Sequence, residues 1–459
     1  MKPNKTKTRI KQIVFFLLLA ALGYGIYYVW FAFPIISGYS AKNACSCAFI
    51  QGRTKESINK EELGSMPLSL GSIEINYKDS TVTGAVLGLA KRKAIYRYGL
   101  GCTLVNDLSE ETIRAQKFSV PFYTKEYDSV WTKATYRDSV SVDTNKLSEL
   151  VSTAFRQEYN NKPVLTRALL VIYKNKIITE KYAPGYNQNS MFLGWSMAKS
   201  VTGALIGILV KNGKLNVDQL APVKEWRQAK DGRTEILLKN LLQQTSGLNF
   251  KEDYSSYSSA TNMLFNKGDM GGYVESLPSK QKAGTEFYYS SGNSNVLSRI
   301  VRNTVGENDY HTFPYKELFH KIGMFHTVLE PDASGTFVGS SYIYASARDY
   351  ARFGMLYLND GLWNGERILP EGWVKQSVTP PASNRLKNYG YQFWLNGWDQ
   401  KQPSQKEFPQ MPLDFFYADG YGGQRIYIIP SKQLVAVRLG LNKFDEQRFL
   451  QLLMESIKE

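Results

Sequence analysis

The stretch Phe192-Leu193-Gly194-Trp195-Ser196-Met197-Ala198-Lys199-Ser200, with the run that follows it, decides how this chain is read. Beyond it Val201, Ala204, Leu205, Ile208 and Leu209 recur at i, i+3, i+4, i+7 and i+8, one buried face of a helix. Asn212-Gly213 supplies the stop. Ser196 falls in the first turn and Lys199 three residues later, so a hydroxyl and an amine share a face about one turn apart. Gly203 and Gly207 continue that face almost without side chain, which lets another element approach closely. A hydroxyl beside an amine at a helix N-terminus is one way to build a nucleophile: the amine takes or relays the proton, and the free N–H groups favour developing negative charge. The tetrapeptide alone does not carry that conclusion. Ser57-x-x-Lys60 and Ser279-x-x-Lys282 share the spacing and open no apolar helix. The plain alternative makes Ser196 an N-cap and Lys199 a solvated charge.

With 459 residues, 43% apolar and 21% charged, the chain is globular and long enough for two or three core-bearing units. Its start differs from the rest. Lys2, Lys5, Lys7, Arg9 and Lys11 precede 21 uncharged residues, Ile13 to Phe33, and the apolar run extends to Ile36. That is the length of one membrane-spanning helix. A cleaved signal would have a shorter apolar core followed by a small-residue site. Here Tyr27, Tyr28, Trp30 and Phe33 carry the core onward, so an uncleaved anchor is expected. Basic residues on one side place the N-terminus in the cytoplasm and everything after Ser37 outside, in the periplasm if the host has two membranes. The net charge of +15 falls to +10 without those five residues, an excess that reads as solvated surface. No basic run interleaved with aromatics argues for nucleic acid.

Three cysteines, Cys45, Cys47 and Cys102, allow one disulfide on the outer side of a membrane. Either of the first two can pair with Cys102, and one thiol is left over. Three regions are therefore expected: a tail and anchor over 1–36, an exported module of open role over 37–145, and a chemistry-bearing domain over 146–459. In the module, Ser72 to Tyr77 and Ser80 to Val86 alternate as strands. In the domain, Leu165 to Tyr173 and Ile177 to Tyr182 form a hairpin around Lys174-Asn175-Lys176. Residues 235–333 read as mostly helical, with Ile236 to Gln244 running into Thr245-Ser246-Gly247-Leu248, and Ala345 to Leu358 is an amphipathic helix. Arg425 to Ile429 and Gln433 to Leu439 return to strand, and Arg448 to Ile457 closes the chain as a helix. Sheet at both ends of the domain encloses helices between.

A Ser–Lys pair needs a proton-transfer group facing the leaving group and a hole for the oxyanion. Two downstream stretches are candidates: Phe287-Tyr288-Tyr289-Ser290-Ser291-Gly292-Asn293, a polar turn running into a helix, and Asp419-Gly420-Tyr421-Gly422-Gly423-Gln424, a glycine-dense approach to a strand. With these the region from about 150 to 459 resembles the serine hydrolases of the β-lactamase and penicillin-binding protein superfamily. The nearest branch is that of class C β-lactamases, related esterases and 6-aminohexanoate-oligomer hydrolases. Ser196-Met197-Ala198-Lys199 matches the family's Ser-x-x-Lys, and Leu241 to Leu248 its Leu-Leu-x-x-Thr-Ser-Gly-Leu block. Tyr289-Ser290-Ser291 stands at Tyr-x-Asn, Ala345-Ser346-Ala347-Arg348-Asp349 through Leu369-Pro370-Glu371-Gly372-Trp373 matches another block, and Tyr421-Gly422-Gly423-Gln424 falls at the third motif.

The resemblance implies an antiparallel sheet flanked by helices with an inserted helical region, α/β plus all-α, behind the anchor and a small β-rich module. It implies that Ser196 attacks an acyl carbonyl, that Lys199 and Tyr289 move the proton, and that Tyr289 later activates water. The backbone N–H groups of Ser196 and Gln424 form the oxyanion hole, while Ser291, Tyr421, Gly422 and Gly423 line the substrate. Free lysine titrates near ~10.4 and tyrosine near ~10, so both need tuning by contact and burial. No metal or organic cofactor is implied. The partner is a small-molecule or peptide-like ester or amide. The chain departs from the family where Ser291 replaces the Asn of the second motif and Tyr421 the cationic or imidazole residue of the third. Those positions hold the amide and carboxylate of β-lactam and D-alanyl-peptide substrates, so an ester or small amide without a carboxylate fits better, unless a charge such as Arg425 replaces the anchor.

Two other classes compete. Gly194-x-Ser196-x-Ala198 nearly fits the nucleophile elbow of α/β-hydrolases, which requires a catalytic histidine among His311, His320 and His326. A membrane-tethered cell-wall or peptide sensor would keep the fold and acylate slowly or not at all. A metallohydrolase lacks ligand spacing.

Overall fold

In a computed structural model of the protein, residues 5–119, 141–397 and 406–458 are described. The polar stretch Asp138 to Leu147, expected to hold a domain boundary, begins outside them. The chain divides into two compact units: residues 1–96, 102–110 and 253–268 form the first, and the rest the second. A segment from inside the expected 146–459 region, Asp253–Gly268, thus folds with the first unit.

The first unit is built on one long helix, α1 (Lys5–Phe49), which passes Ile36, where the apolar run suggested an end. The residues beyond Ile36 explain the continuation. Ser37, Gly38, Ala41, Ala44 and Cys45 are small and buried, so a sheet can lie directly on the helix backbone. That sheet has the order β1 (Gly71–Asn76), β2 (Thr81–Val86), β3 (Leu89–Arg97), β4 (Gly101–Val105). At Gly84 in β2 the approach is so close that an added Cβ would lie 2.4 Å from the Ser37 carbonyl oxygen and 2.9 Å from the Ala41 nitrogen. Lys42, almost fully buried, donates to Ser46 Oγ at 3.1 Å within the helix. Cys45 of α1 is bonded to Cys102 of β4, and Cys47 stays free and buried, which resolves the pairing left open by the spacing. The other half of α1 is the reverse: Ile13, Phe15, Phe16, Leu17, Leu18 and Trp30 are exposed. This helix is near the N-terminus and long and apolar enough to cross a membrane.

The second unit is organised on a six-stranded antiparallel sheet. Its strands in chain order are β5 (Leu165–Tyr173), β6 (Lys176–Tyr182), β7 (Trp394–Leu395), β8 (Phe416–Gly420), β9 (Gln424–Ile429) and β10 (Leu434–Leu441), and the sheet order is β7-β8-β9-β10-β5-β6. Strands from both ends of the domain thus pair at the centre, β10 against β5. Strand alternation sends Leu169, Val171 and Tyr173 to one face, where the terminal helices, α2 (Thr144–Ala154) and Glu446–Ser456, bury Leu150, Phe449 and Leu453 against them. On the opposite face lies the helix Ala347–Leu358, whose Gly354 lets the sheet approach: a Cβ there would lie 2.7 Å from Val435 Cγ1 and 2.9 Å from Ile426 Cγ2. Against β8 and β9 packs α3 (Met197–Lys211), the helix that the opening motif predicts. Its two glycines take close neighbours as expected. A Cβ on Gly207 would lie 2.6 Å from the Trp373 ring and one on Gly203 3.4 Å from Gln392. Packed against α3 is α4 (Ser291–Val305).

Candidate active site

Ser196 stands at the N-cap of α3, and the backbone that delivers it is constrained. Trp195 has φ +48°, a left-handed conformation that costs a non-glycine residue about 1–2 kcal/mol. Gly194 is required on the other side: a Cβ there would sit 2.4 Å from the Tyr350 hydroxyl, which is pinned by its bonds to the carbonyls of Phe192 (3.0 Å) and Ile343 (3.2 Å). The Ser196 hydroxyl makes no capping bond. It instead accepts from Lys199 Nζ at 3.0 Å. Lys199 is not a surface charge: only 1% of it is exposed. Its amine also donates to Ser291 Oγ at 3.0 Å and to the Ser340 carbonyl at 2.9 Å, and it lies 5.0 Å from the centroid of the Tyr289 ring. Ser196 thus holds the N-cap position without capping, and Lys199 is not a solvated charge.

Burial lowers the Lys199 pKa to about 8, against the opposing pull of the Glu252 and Asp419 carboxylates. Tyr289 is hydrogen-bonded to Ser196, but burial, helped by Tyr389 and Glu252, pushes its phenol well above the ordinary tyrosine range. Tyr289 is packed edge-on to Tyr389 at 5.7 Å and tilted against Trp394 at 5.3 Å. The loop that carries it is held by the Leu241–Leu248 block. Gln244, itself at φ +59°, accepts from the backbone of Ser290 (3.2 Å) and from Asn293 Nδ2 (2.8 Å). Ser246 Oγ donates to Asn293 Oδ1 at 2.7 Å. That block acts as scaffold.

The third motif closes the β8–β9 turn, with Gly422 at φ +78° and Gly423 at φ +81°. Gly420 brings it to the nucleophile: a Cβ on Gly420 would fall 2.1 Å from the Gly194 carbonyl oxygen. The Gln424 side chain is tied to the next strand, its Oε1 accepting from the Gly440 N–H at 3.0 Å. Tyr421 is 73% exposed and sets its ring edge-on to Trp195 at 5.9 Å, while Trp195 lies 6.2 Å from Tyr342. Trp195, next to Ser196, thus links the exposed Tyr421 ring to the buried Tyr342 ring.

Two expectations change. Ser291, expected to line the substrate, is fully buried and engaged on both sides, accepting from Lys199 and donating to Glu252 Oε1 at 2.6 Å. Arg425, the possible carboxylate anchor, is held by Glu446 through Nε (2.7 Å) and Nη2 (3.1 Å) and also pairs with Asp419. The histidines are held elsewhere in the second unit. His311 Nε2 bonds the Gly335 carbonyl at 2.7 Å, and burial lowers its pKa to about 4. His320 packs on Tyr315 and Phe325, and the His326 N–H donates to Asp349. Glu252 and the Ser340 carbonyl are the site residues the sequence did not reveal. Glu252 lies in a polar loop without periodicity, and a backbone carbonyl leaves no trace in a motif.

A central antiparallel sheet with helices on both faces and a Ser-x-x-Lys helix packed against it defines a β-lactamase-like fold. The chain belongs to the beta-lactamase family, whose model matches residues 152–450, and so to a fold family of serine hydrolases that includes esterases, amidases and penicillin-binding proteins. It is 24% identical over 303 residues to a 6-aminohexanoate-dimer hydrolase of Paenarthrobacter ureafaciens, which covers 60% of this chain and 72% of the relative. Among solved structures it is similar to a family VIII carboxylesterase (TM-score 0.52, 12% identity, 69% of this chain and 99% of that one). It is also similar to a class C beta-lactamase (TM-score 0.50, 15% identity, 68% and 94%). At these identities the structural likeness speaks for the fold.

Proposed function

We propose that the protein is a serine hydrolase that cleaves an ester or small amide through an acyl-enzyme on Ser196, with Lys199 and Tyr289 as proton-transfer groups. The observation that carries this is the buried Lys199 amine, hydrogen-bonded to the Ser196 hydroxyl and tuned toward neutral pH. The Ser196 Oγ proton passes to the neutral amine as Oγ bonds to the acyl carbon, and the carbonyl electron pair moves onto oxygen. The backbone N–H groups of Ser196 and Gln424 receive that charge. Losing one such donor typically costs about 10²–10³ in turnover. As the tetrahedral intermediate collapses, the leaving alcohol or amine takes a proton from Tyr289, which its environment keeps neutral, and the Lys199 ammonium replenishes it. Water then attacks the acyl-enzyme along the same path reversed, giving the acid and restoring Ser196. Exposed Tyr421 in place of a cationic residue, and the engagement of Arg425, favour a substrate without a carboxylate.

The test uses the full chain in detergent with a chromogenic short-chain ester. Wild type is expected to turn over and Ser196→Ala to fall by about 10³-fold or more, the scale on which losing a nucleophile is felt. Equal turnover by both ends the reading. A non-turning-over sensor would show acylation without release.

The exposed half of α1, with basic residues before it, supports a single-span anchor that leaves the N-terminus cytoplasmic and the two units outside. Carbonate extraction should leave the protein in the membrane fraction, and external protease should digest the second unit in intact spheroplasts. Release into the soluble fraction overturns the anchor, and protection overturns the orientation.

A further inference from the structure

We propose that Glu252 is a positioning residue for the Ser196–Lys199 pair: by fixing the direction of the Ser291 hydroxyl, it leaves Ser196 as the partner whose proton Lys199 can accept. This rests on the reading of Ser196 as nucleophile given above. A neutral amine has two N–H donors and one lone pair. Among the described residues Lys199 Nζ is hydrogen-bonded to three oxygens: the Ser340 carbonyl at 2.9 Å, Ser291 Oγ at 3.0 Å and Ser196 Oγ at 3.0 Å. The carbonyl can only accept, so it takes one N–H.

The Ser291 hydroxyl would ordinarily be able to do either, because a hydroxyl rotates to suit its neighbours. Here it is fixed. The Glu252 carboxylate takes the Ser291 backbone N–H on Oε2 at 2.8 Å and the Ser291 hydroxyl hydrogen on Oε1 at 2.6 Å. With its hydrogen committed to a carboxylate, Ser291 Oγ can only accept from Lys199 and takes the second N–H. The lone pair is then left for the hydroxyl of Ser196. Without Glu252, the Ser291 hydroxyl is free to donate into that lone pair, which is an idle state of the amine. The family's Asn at this position is not a free rotor. The serine of this chain creates one, and Glu252 holds it.

The probe is a fluorophosphonate, whose phosphorus bonds to Ser196 Oγ as fluoride leaves and the Oγ proton goes to Lys199. Labelling of the full chain in detergent is followed from pH 5 to 10. The titratable and charged groups facing Lys199 Nζ are Glu252, Asp419 and the Tyr289 phenol, with Asp419 itself paired to Arg425. Because the neutral amine is the active form, wild-type labelling rises with pH through about 8. In Glu252→Gln an amide that can donate replaces the acceptor and a negative charge beside the amine is lost. The plateau rate should fall by about tenfold, the scale of one misdirected buried hydrogen bond. The limb should also move to lower pH. Glu252→Asp, which keeps charge and acceptor, should keep the wild-type limb.

An unchanged rate and limb in Glu252→Gln, with Ser196→Ala unlabelled, overturns this inference and leaves the nucleophile reading standing. A uniform loss of rate with the limb unmoved in Glu252→Gln, not rescued by Glu252→Asp, also overturns it, since Glu252 would then serve only the loop. Labelling of Ser196→Ala at the wild-type rate would overturn the nucleophile reading itself.

Discussion

The helices α3 and α4 each begin at a serine, and the two serines are used in opposite ways. Ser290 precedes α4 in extended backbone (φ −147°, ψ 118°), and its hydroxyl accepts from the Asn293 N–H at 3.3 Å. That is ordinary capping, satisfying one of the donors a helix start leaves open. Ser196 precedes α3 in helical backbone (φ −65°, ψ −7°), where its side chain does not reach back to the first turn. Its hydroxyl is left for Lys199 and Tyr289. The residue type is the same at both places, so the chain that delivers the serine decides what the hydroxyl does. At α4 the approach is a relaxed strand-like turn. At α3 it is a left-handed Trp195 behind a glycine wedged under Tyr350, strain of the kind that the proposed nucleophile at Ser196 calls for.

The sharpest way to break the contrast is to disturb the approach to α3 without touching the chemistry. Gly194→Ala places a methyl 2.4 Å from the Tyr350 hydroxyl and about 3 Å from Ile343 and Met197. Tyr350 cannot swing away without giving up two carbonyl partners, so the backbone before Ser196 must shift. Overpacking of this kind costs about 1–3 kcal/mol. A displacement of about 1 Å at a nucleophile can cost ~10²-fold in rate. Labelling by a fluorophosphonate should therefore slow by about 10²-fold while a folded melting transition survives. A variant that labels at the wild-type rate would mean that the glycine matters to packing alone.

The contrast also explains what was legible in the sequence. The apolar stripe of α3, the paired strands Leu165–Tyr173 and Lys176–Tyr182, and β9 and β10 near the C-terminus are local patterns, and the structure places each within a few residues of its expectation. The Ser-x-x-Lys spacing and the Tyr289 turn were visible because the groups that meet there lie in motifs. Three things were hidden. The extension of α1 to Phe49 is carried by Ser, Gly, Ala and Cys, whose pattern matters only once a sheet with Gly84 lies on it. The difference between Ser196 and Ser290 is one of φ and ψ, which the letters do not record. Glu252 reaches the site from 39 positions upstream of Ser291, not through periodicity but through one loop closing on the start of α4.

A matched pair of alanine substitutions measures the contrast directly, at the smallest scale. Ser290→Ala removes a cap that is made, so it should lower stability by about 1 kcal/mol. For a domain of this size that is a fall of about 2–4 °C in the melting midpoint. Ser196→Ala removes a hydroxyl that caps nothing and stands half-exposed, where water can take its place beside Lys199, so its stability should stay within about 0.5 kcal/mol of wild type. Thermal unfolding of the two variants beside wild type, in one detergent and at one pH, reads the difference. If Ser196→Ala is the more destabilised of the two, then its hydroxyl is a structural group, and the distinction between a serine that starts a helix and a serine that the helix presents is lost.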